Sequence, residues 1–513
     1  MQRYVFFFIA LTALLFWGSC RKNFDYQTST GNLEFSKDTV YLDTVFTTIG
    51  SSTRTLKVYN KSNTDIQIPS IRLASGQNSS YRLNVDGMAG KEFENIPIFA
   101  KDSIFIFIES TFDIAPTNEK EFLYTDAIQF SSSGNMQEVQ LVTLIKDAIF
   151  LFPKTLSDGS KETFVLGMDD EGNEIAVEGF IIEDTQLNFT NEKPYVIYGY
   201  AVVQEDKTLS INAGARVYFH DNSGIIVPSK ASINVMGALS SNQEELENEV
   251  VFEGDRLEPE FENIAGQWGT IWLTYGSINN QINYLTIKNA SVGLFVEGDG
   301  LLDNPTLTIK NTQIHNSSNF NLWGKTASII GENIVLGSAG ASSLYCSLGG
   351  NYVFTHCTIA NYWTNGFRNA TALFIDNFIE TDLDNISKDL TQADFINCII
   401  DGNSRHELAL SKTDASLFNY SFKNCAITFN ETELQFLDPS LYNFNDPIWY
   451  SDVLLNVDLD FYNAQKNDFR IGAASEIIGR AAVENSVTVP FDILGKSRIL
   501  VPEIGAYELD LQN

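Results

Sequence analysis

Between Ile287 and Ile427 the chain repeats one theme: a short run of strand-forming apolar residues, then Asn or His, then a return to apolar residues. The polar member falls at Asn289, Asn311, Asn333, His356, Asn377, Asn397 and Asn424, in steps of 22, 22, 23, 21, 20 and 27 residues. Repeats of this length signal a solenoid. The flanking runs, such as Thr306-Leu-Thr-Ile309, Tyr352-Val-Phe-Thr355 and Asp394-Phe-Ile396, are strand formers without helical period. Roughly twenty residues suffice for a coil of three short strands and three turns, stacked at roughly 4.8 Å so that every strand bonds to the coils on either side. Asn tolerates the left-handed backbone of a tight bend and can bond to the Asn of the next coil. The seven polar residues are therefore expected to form one structural ladder. Behind it, Ala290, Thr312, Ile334, Cys357, Phe378, Cys398 and Cys425 should point into the core. The longest step holds Gly402-Asn-Ser-Arg-His-Glu407, a polar loop expected to leave the coil body.

Upstream, Thr208–Phe219, Gly224–Val227, Ala231–Gly237 and Glu249–Gly254 alternate short β runs with Gly or Asn turns and read as earlier coils. A different rhythm fills residues 33–148. Strands at Thr39–Leu42, Thr55–Tyr59, Asp65–Ile71, Ser103–Ile108 and Glu138–Val142, separated by polar turns, indicate an antiparallel sandwich of immunoglobulin-like type. Residues 149–190, rich in Asp, Glu and Gly, read as a connector and N-terminal cap, residues 191–436 as the β-helix, and residues 437–513 as last coils and C-terminal cap. The fold class is all-β: a sandwich followed by a right-handed parallel β-helix of about ten coils.

The N-terminus carries an address. Arg3 precedes the apolar run Tyr4 to Trp17, too short to span a bilayer comfortably and suited to a signal-peptide core. Gly18-Ser-Cys20 after it resembles the lipobox of bacterial lipoproteins, which implies cleavage after residue 19, acylation of Cys20 and a linker over residues 20–32. The partner so expected is a membrane reached through that lipid, in the cell envelope at the outer membrane.

Composition narrows the function. Against 33 Lys plus Arg stand 65 Asp plus Glu, a formal charge of −32, and no basic cluster interrupts it, so nucleic acid is excluded as a partner. Apolar residues at 44% with 37 Phe and 20 Tyr support a large buried core. No Cys or His cluster has metal-ligand spacing, so Cys346, Cys357, Cys398 and Cys425 read as buried thiols, with a disulfide between neighbouring coils left open.

The strings Asp43-Thr-Val-Phe-Thr-Thr-Ile-Gly50 and Leu56-Lys-Val-Tyr-Asn60, then Lys193–Gly199, Gln267–Trp272 and His356–Trp363, resemble those of exported Gram-negative β-helix lipoproteins with an N-terminal Ig-like domain. Phe491-Asp-Ile-Leu-Gly-Lys-Ser-Arg498 running into Glu503-Ile-Gly-Ala-Tyr-Glu508 is similar to their terminal motif. The resemblance implies the fold and export, and carries no catalytic residue with it.

Three functional classes remain. A polysaccharide lyase needs Ca²⁺ on carboxylates beside a basic residue; the best acidic group is Asp376, Glu380, Asp382 and Asp384, while Lys288 and Lys310, expected in one column, stand coils away. A glycoside hydrolase needs paired carboxylates, but Asn63-Thr-Asp65 and Asp169-Asp170 fall outside the central coils, and His356 occupies a bend slot. A non-catalytic display, scaffold or glycan-binding module needs only a surface. Trp272, Trp323, Tyr362 and Trp363 are the aromatic candidates for a glycan, or an envelope protein as the alternative partner. The balance favours this third class, with no catalytic residue assigned and no cofactor required beyond the weak Ca²⁺ candidate.

Overall fold

The computed structural model describes residues 26–47, 49–112, 121–168, 172–301, 304–380, 385–430 and 438–510. The apolar run Tyr4 to Trp17, Cys20, Asp169-Asp170, Asp382 and Asp384 lie outside them. Two compact units divide between Asp147 and Ala148.

The first unit is a two-sheet β-sandwich of immunoglobulin-like kind. One sheet of six strands is built around Ile66–Leu73, Glu121–Ser131, Met136–Lys146 and Thr39–Phe46; the other, of five, is built around Arg54–Tyr59, Ser103–Ser110 and Tyr81–Val85. Alternation decides the faces: in Ser103–Ser110, Ile104, Ile106 and Ile108 are buried while Phe105 and Phe107 stand exposed. Three long strands add to those read from sequence: Tyr81–Val85, Glu92–Ile98 and Glu121–Ser131. Glu92–Ile98 lies at an edge, paired with Ile66–Leu73, where Pro97 can be accommodated without an N–H.

The second unit is a parallel β-helix with three sheets. Sheet one has eleven strands, from Ile149–Leu151 to Leu454–Leu455; sheets two and three have ten each, ending at Leu408–Ser411 and Tyr450–Ser451. The chain passes through sheets one, two and three in turn. Residues 149–190, expected as connector and cap, already contribute strands to all three sheets: Ile149–Leu151 pairs in parallel with Tyr195–Ile197, Glu174–Ile181 with Tyr200–Val202, and Asn188–Phe189 with Ser210 and Ile211. The polar composition of this segment reflects the antiparallel hairpin Thr163–Met168 with Glu174–Ile181, which closes one sheet edge. Inward residues of all coils form one core, and its rings stack too, as in Phe354, Phe395, Phe422 and Tyr450 at centroid separations of 5.4, 5.1 and 5.5 Å.

From Lys310 onward the turn from sheet three to sheet one is the constant of the coil. Strands ending at Lys310, Glu332, Thr355, Ile396, Lys423 and Ser451 resume three residues later, and the first turn residue is always left-handed: Asn311, Asn333, His356, Asn397, Asn424 and Asp452 have φ between +48° and +56°. Five of the seven expected ladder residues share this column. Asn289 does not: it follows a sheet-one strand, and its Oδ1 accepts from Asn316 Nδ2 at 2.5 Å, in a second column of left-handed residues continued by Ser338. Asn377 follows a sheet-two strand and holds residues 413–417, donating to the carbonyls of Thr413, Ser416 and Leu417. Ala290 and Phe378 leave the inward column with them. Lys288 and Lys310 likewise separate, onto sheets one and three, where they meet Glu253 at 3.8 Å and Glu332 at 2.8 Å.

The remaining inward column, Thr312, Ile334, Cys357, Cys398 and Cys425, is fully buried. The thiols are free, and Cys398 Sγ accepts from the Cys357 backbone N–H at 3.4 Å. Loop 402–407 stays on the coil body, because Glu407, fully buried, receives Arg368 at 2.6 and 2.8 Å and the N–H groups of Ala372 and Ser404. Arg368 thereby ties the insertion between Asn361 and Leu373 to the next coil.

Beyond Leu455 the chain turns back along the outer face of sheet one. Phe469, Ile493, Ala506 and Tyr507 pack on Val335 and Ala360; Leu459, Ile471, Ile477 and Ile504 pack on Ile399 and Ala426. The bend residues receive it: Asn333 Nδ2 donates to Phe491 O, Asn397 bonds both the N–H and O of Ala482, and Asn424 donates to Arg480 O. Arg498, 0% exposed, anchors the segment through Asn333 Oδ1, the carbonyls of Phe491 and Gly505, and Glu508 at 3.0 Å. Asp492 accepts the N–H groups of Leu494, Lys496 and Glu508. The terminal motif is therefore a lateral clasp.

Two predictions test this construction. Asn397→Ala should lower the stability of the second unit by on the order of 3 kcal/mol, and Asn397→Gly by about 1 kcal/mol less because glycine keeps the left-handed bend free of strain; urea denaturation monitored by tryptophan fluorescence checks both. Burial, then the hydrogen-bonded carboxyl of Glu503, pushes Glu508 up to about 9. A carboxyl that keeps its proton when folded and releases it near its ordinary 4.5 when unfolded contributes fully below that pH and loses its contribution as pH rises through about 9. The thermal midpoint should thus fall from about pH 6 to about pH 9, and Glu508→Gln should flatten the fall.

Candidate glycan-binding face

Sheet two positions the aromatic candidates. Register places Trp272, Phe295, Trp323, Tyr345 and Phe374 directly above one another, one per coil. Their inward neighbours Ile271, Leu294, Leu322, Leu344 and Leu373 fill the core, so strand alternation turns the rings outward. Consecutive ring centroids are 5.5, 4.2, 5.9 and 5.0 Å apart with planes within 27° of parallel. Phe320 packs beside the stack, 5.3 Å from Trp323 and 5.2 Å from Tyr345. Within the stack the ring faces cover each other and the C–H edges form the outer ridge. The next coil offers only Ala409 beneath Phe374, which ends the stack.

A second outward column runs beside the first, two residues along each strand: Glu297, Lys325, Ser347, Asp376 and Ser411. It holds the polar atoms of the rings. Trp272 Nε1 donates to Glu297 Oε2 at 2.9 Å, Trp323 Nε1 to Ser347 Oγ at 2.8 Å, and Tyr345 OH to Asp376 Oδ2 at 2.7 Å. Lys325 Nζ pairs with Glu297 at 3.1 Å. Burial raises the pKa of Asp376, opposed by the N–H of Leu348 and the Tyr345 hydroxyl, and burial with the Asp376 charge raises that of Tyr345. A strip of hydrocarbon edges thus lies against a strip of hydrogen-bonding groups.

The sequence candidates divide accordingly. Trp272 and Trp323 belong to the stack. Tyr362 does not: it packs against Phe461 and Phe469 under the returning segment, and its hydroxyl donates to Asp401. Trp363 lies in the loop that follows, where its carbonyl accepts from Asn403 Nδ2. Phe295, Tyr345 and Phe374 escaped sequence reading because intervening loops space the stack at 23, 28, 22 and 29 residues. Strand register was the signal that could have aligned them.

The face lacks the spacing of hydrolytic chemistry. Glu297 and Asp376 are three coils apart, about 14 Å at the stacking distance, whereas paired carboxylates act at about 5 to 9.5 Å. As a Ca²⁺ group, Asp376 is 4% exposed and committed to Leu348 and Tyr345, and Glu380 lies on the short antiparallel pair Phe378–Glu380 with Asn385–Ser387. Among the described residues no three His, Cys, Asp or Glu side chains converge on a metal position. His356 Nε2 meets Asn397 Nδ2 at 2.9 Å, and burial with the nearby Arg498 charge brings its pKa down to about 2, so it accepts that bond as a neutral ring.

No family model matches the chain, and no curated protein matches it. Among solved structures, a catalytic unit of an α-1,3-glucanase from Streptomyces thermodiastaticus aligns over 72% of this chain and 79% of its own at 10% identity and a TM-score of 0.23. A tailspike protein of the Acinetobacter baumannii bacteriophage Fri1, a capsular polysaccharide depolymerase, aligns over 61% and 58% at 7% identity and a TM-score of 0.27. A family 123 glycoside hydrolase from Clostridium perfringens aligns over 24% of this chain and 31% of its own, at 8% identity and a TM-score of 0.16. The chain thus spans less than two thirds of the last two, and likenesses this slight carry no activity across.

Replacing Trp323 by Ala should lower the stability of the second unit by about 2 kcal/mol, since a half-buried ring stacked on both sides is lost, whereas Trp323→Phe should lower it by less than about 1 kcal/mol. Thermal and urea unfolding of both variants measures the difference.

Proposed function

We propose that the second unit is a non-catalytic glycan-binding module of the cell envelope, tethered through a lipid on Cys20 and binding along the outer face of sheet two. One observation carries the reading: an unbroken aromatic column with a hydrogen-bonding column beside it along the solenoid axis. A pyranose presents C–H patches and hydroxyls side by side, and this face pairs them, with hydrocarbon edges for the former and Glu297 and Lys325 for the latter. The formal charge of −32 disfavours acidic polysaccharides. The wide separation of Glu297 and Asp376 places catalysis second.

The test is retention on immobilised neutral and acidic polysaccharides, with and without Ca²⁺, read together with release of soluble products. Retention on a neutral polymer without release is expected, weakened at least tenfold by Phe295→Ala and Tyr345→Ala in protein that remains folded. Calcium-dependent release of unsaturated products would replace this reading by a lyase, and absence of retention by a scaffold that binds an envelope protein. Loss of labelled palmitate in Cys20→Ala checks the tether.

A further inference from the structure

If sheet two binds a glycan, the dimensions of its ring column select which one, and this selection rests on that reading. The column stops sharply at both ends. Before Trp272 the same position of the preceding coil is Ile226, wholly buried, and after Phe374 it is Ala409. Between these limits Trp272, Phe295, Trp323, Tyr345 and Phe374 follow one per coil without a register shift, since the shift in these strands, between Thr270 and Ile271, comes before Trp272. All five rings are half-buried, so each leaves an edge to solvent.

The steps of 5.5, 4.2, 5.9 and 5.0 Å between ring centroids follow the roughly 4.8 Å between coils. A guest lying along the axis must keep that period and stay straight. Pyranoses linked through equatorial bonds at both ends, as in β-1,4-glycans, form a flat extended ribbon that advances about 5 Å per residue, nearly the coil spacing. Such a ribbon meets one ring edge with every sugar. Chains linked axially, as in α-1,4-glucans, or through β-1,3 bonds wind into helices and leave a straight row after a few residues. The polar column keeps the same period: Glu297 and Lys325 stand one coil apart, beside Phe295 and Trp323, and among the described residues Lys325 Nζ commits one of its three hydrogens, to Glu297 at 3.1 Å.

We propose that this face binds a neutral β-1,4-linked glycan in its extended form, the class of cellulose, mannan and chitin, with one sugar per coil and five sugars along the column.

Isothermal titration of the full chain with cello-, manno- and chito-oligosaccharides of two to six residues tests it, with maltohexaose and laminarihexaose as helical controls. At least one extended series should bind, gaining about threefold in affinity with each residue up to five and nothing further at six. Phe374→Ala removes one end of the column and Trp272→Ala the other. Each should bring the plateau down to four residues, in protein whose thermal midpoint shows it folded. Stronger binding of a helical hexaose overturns the linkage class, and a plateau at two or three residues overturns one sugar per coil. A protein retained on a neutral polymer that ignores every extended hexaose keeps glycan binding and loses this inference; one that takes neither loses both.

Discussion

In-register parallel stacking governs the second unit. Each strand hydrogen-bonds to the strand one coil before and one coil after, so a residue's surroundings are set by what occupies the same register position in its neighbours. Like then stacks on like. Rings stack on rings inside, at Phe354, Phe395 and Phe422, and outside, from Trp272 to Phe374. Thiols stack at Cys357, Cys398 and Cys425, and left-handed bends stack from Asn311 to Asp452. The other turns escape this discipline, which is why insertions sit between Asn361 and Leu373 and between Asp376 and Leu390 while, from Lys310 onward, the sheet-three to sheet-one turn keeps two residues.

The bend column has a second office. An Asn side chain at a left-handed turn can bond to its counterpart, as Asn333 does to Asn311 at 2.9 Å, but Asn333, Asn397 and Asn424 also turn toward the returning segment. The clasp needs a counter-charge in a dry interior, supplied by Arg498 among Asp492, Glu503 and Glu508. Removing one partner of such a buried set is far more damaging than the set is stabilising. Within Phe491–Arg498 and Glu503–Glu508, Asp492, Arg498 and Glu508 make the clasp and Gly505 makes room for it, at φ +97° against Ile399.

The β-helix was legible because its strands are short, bounded by Asn or Gly, and free of helical period. The column was partly misread because sequence spacing counts residues and stacking counts coils. Asn377 mimicked the ladder at 20 and 21 residues from its neighbours, yet Glu380 stands where the true members carry an apolar residue, such as Ile314 or Ile400. The genuine step from His356 to Asn397 spans 41 residues and hides two insertions. In the sandwich, Glu92–Ile98 was masked by its polar residues and Pro97, which its edge position accommodates. The stacked face and the clasp depend on register and on chain reversal, which act between residues far apart in sequence and leave no local pattern.

A solenoid whose coils touch only their neighbours unravels from its ends, with each lost coil exposing the next. Here the last strands are followed by a segment that returns to Gln313 and Asn333, so the terminal coil and one several turns away are fastened to the same piece of chain. The ladder becomes a loop in the contact network. Fraying at that end requires the clasp to release first, which makes the terminal coils one cooperative block and shields their described residues from a protease until it does.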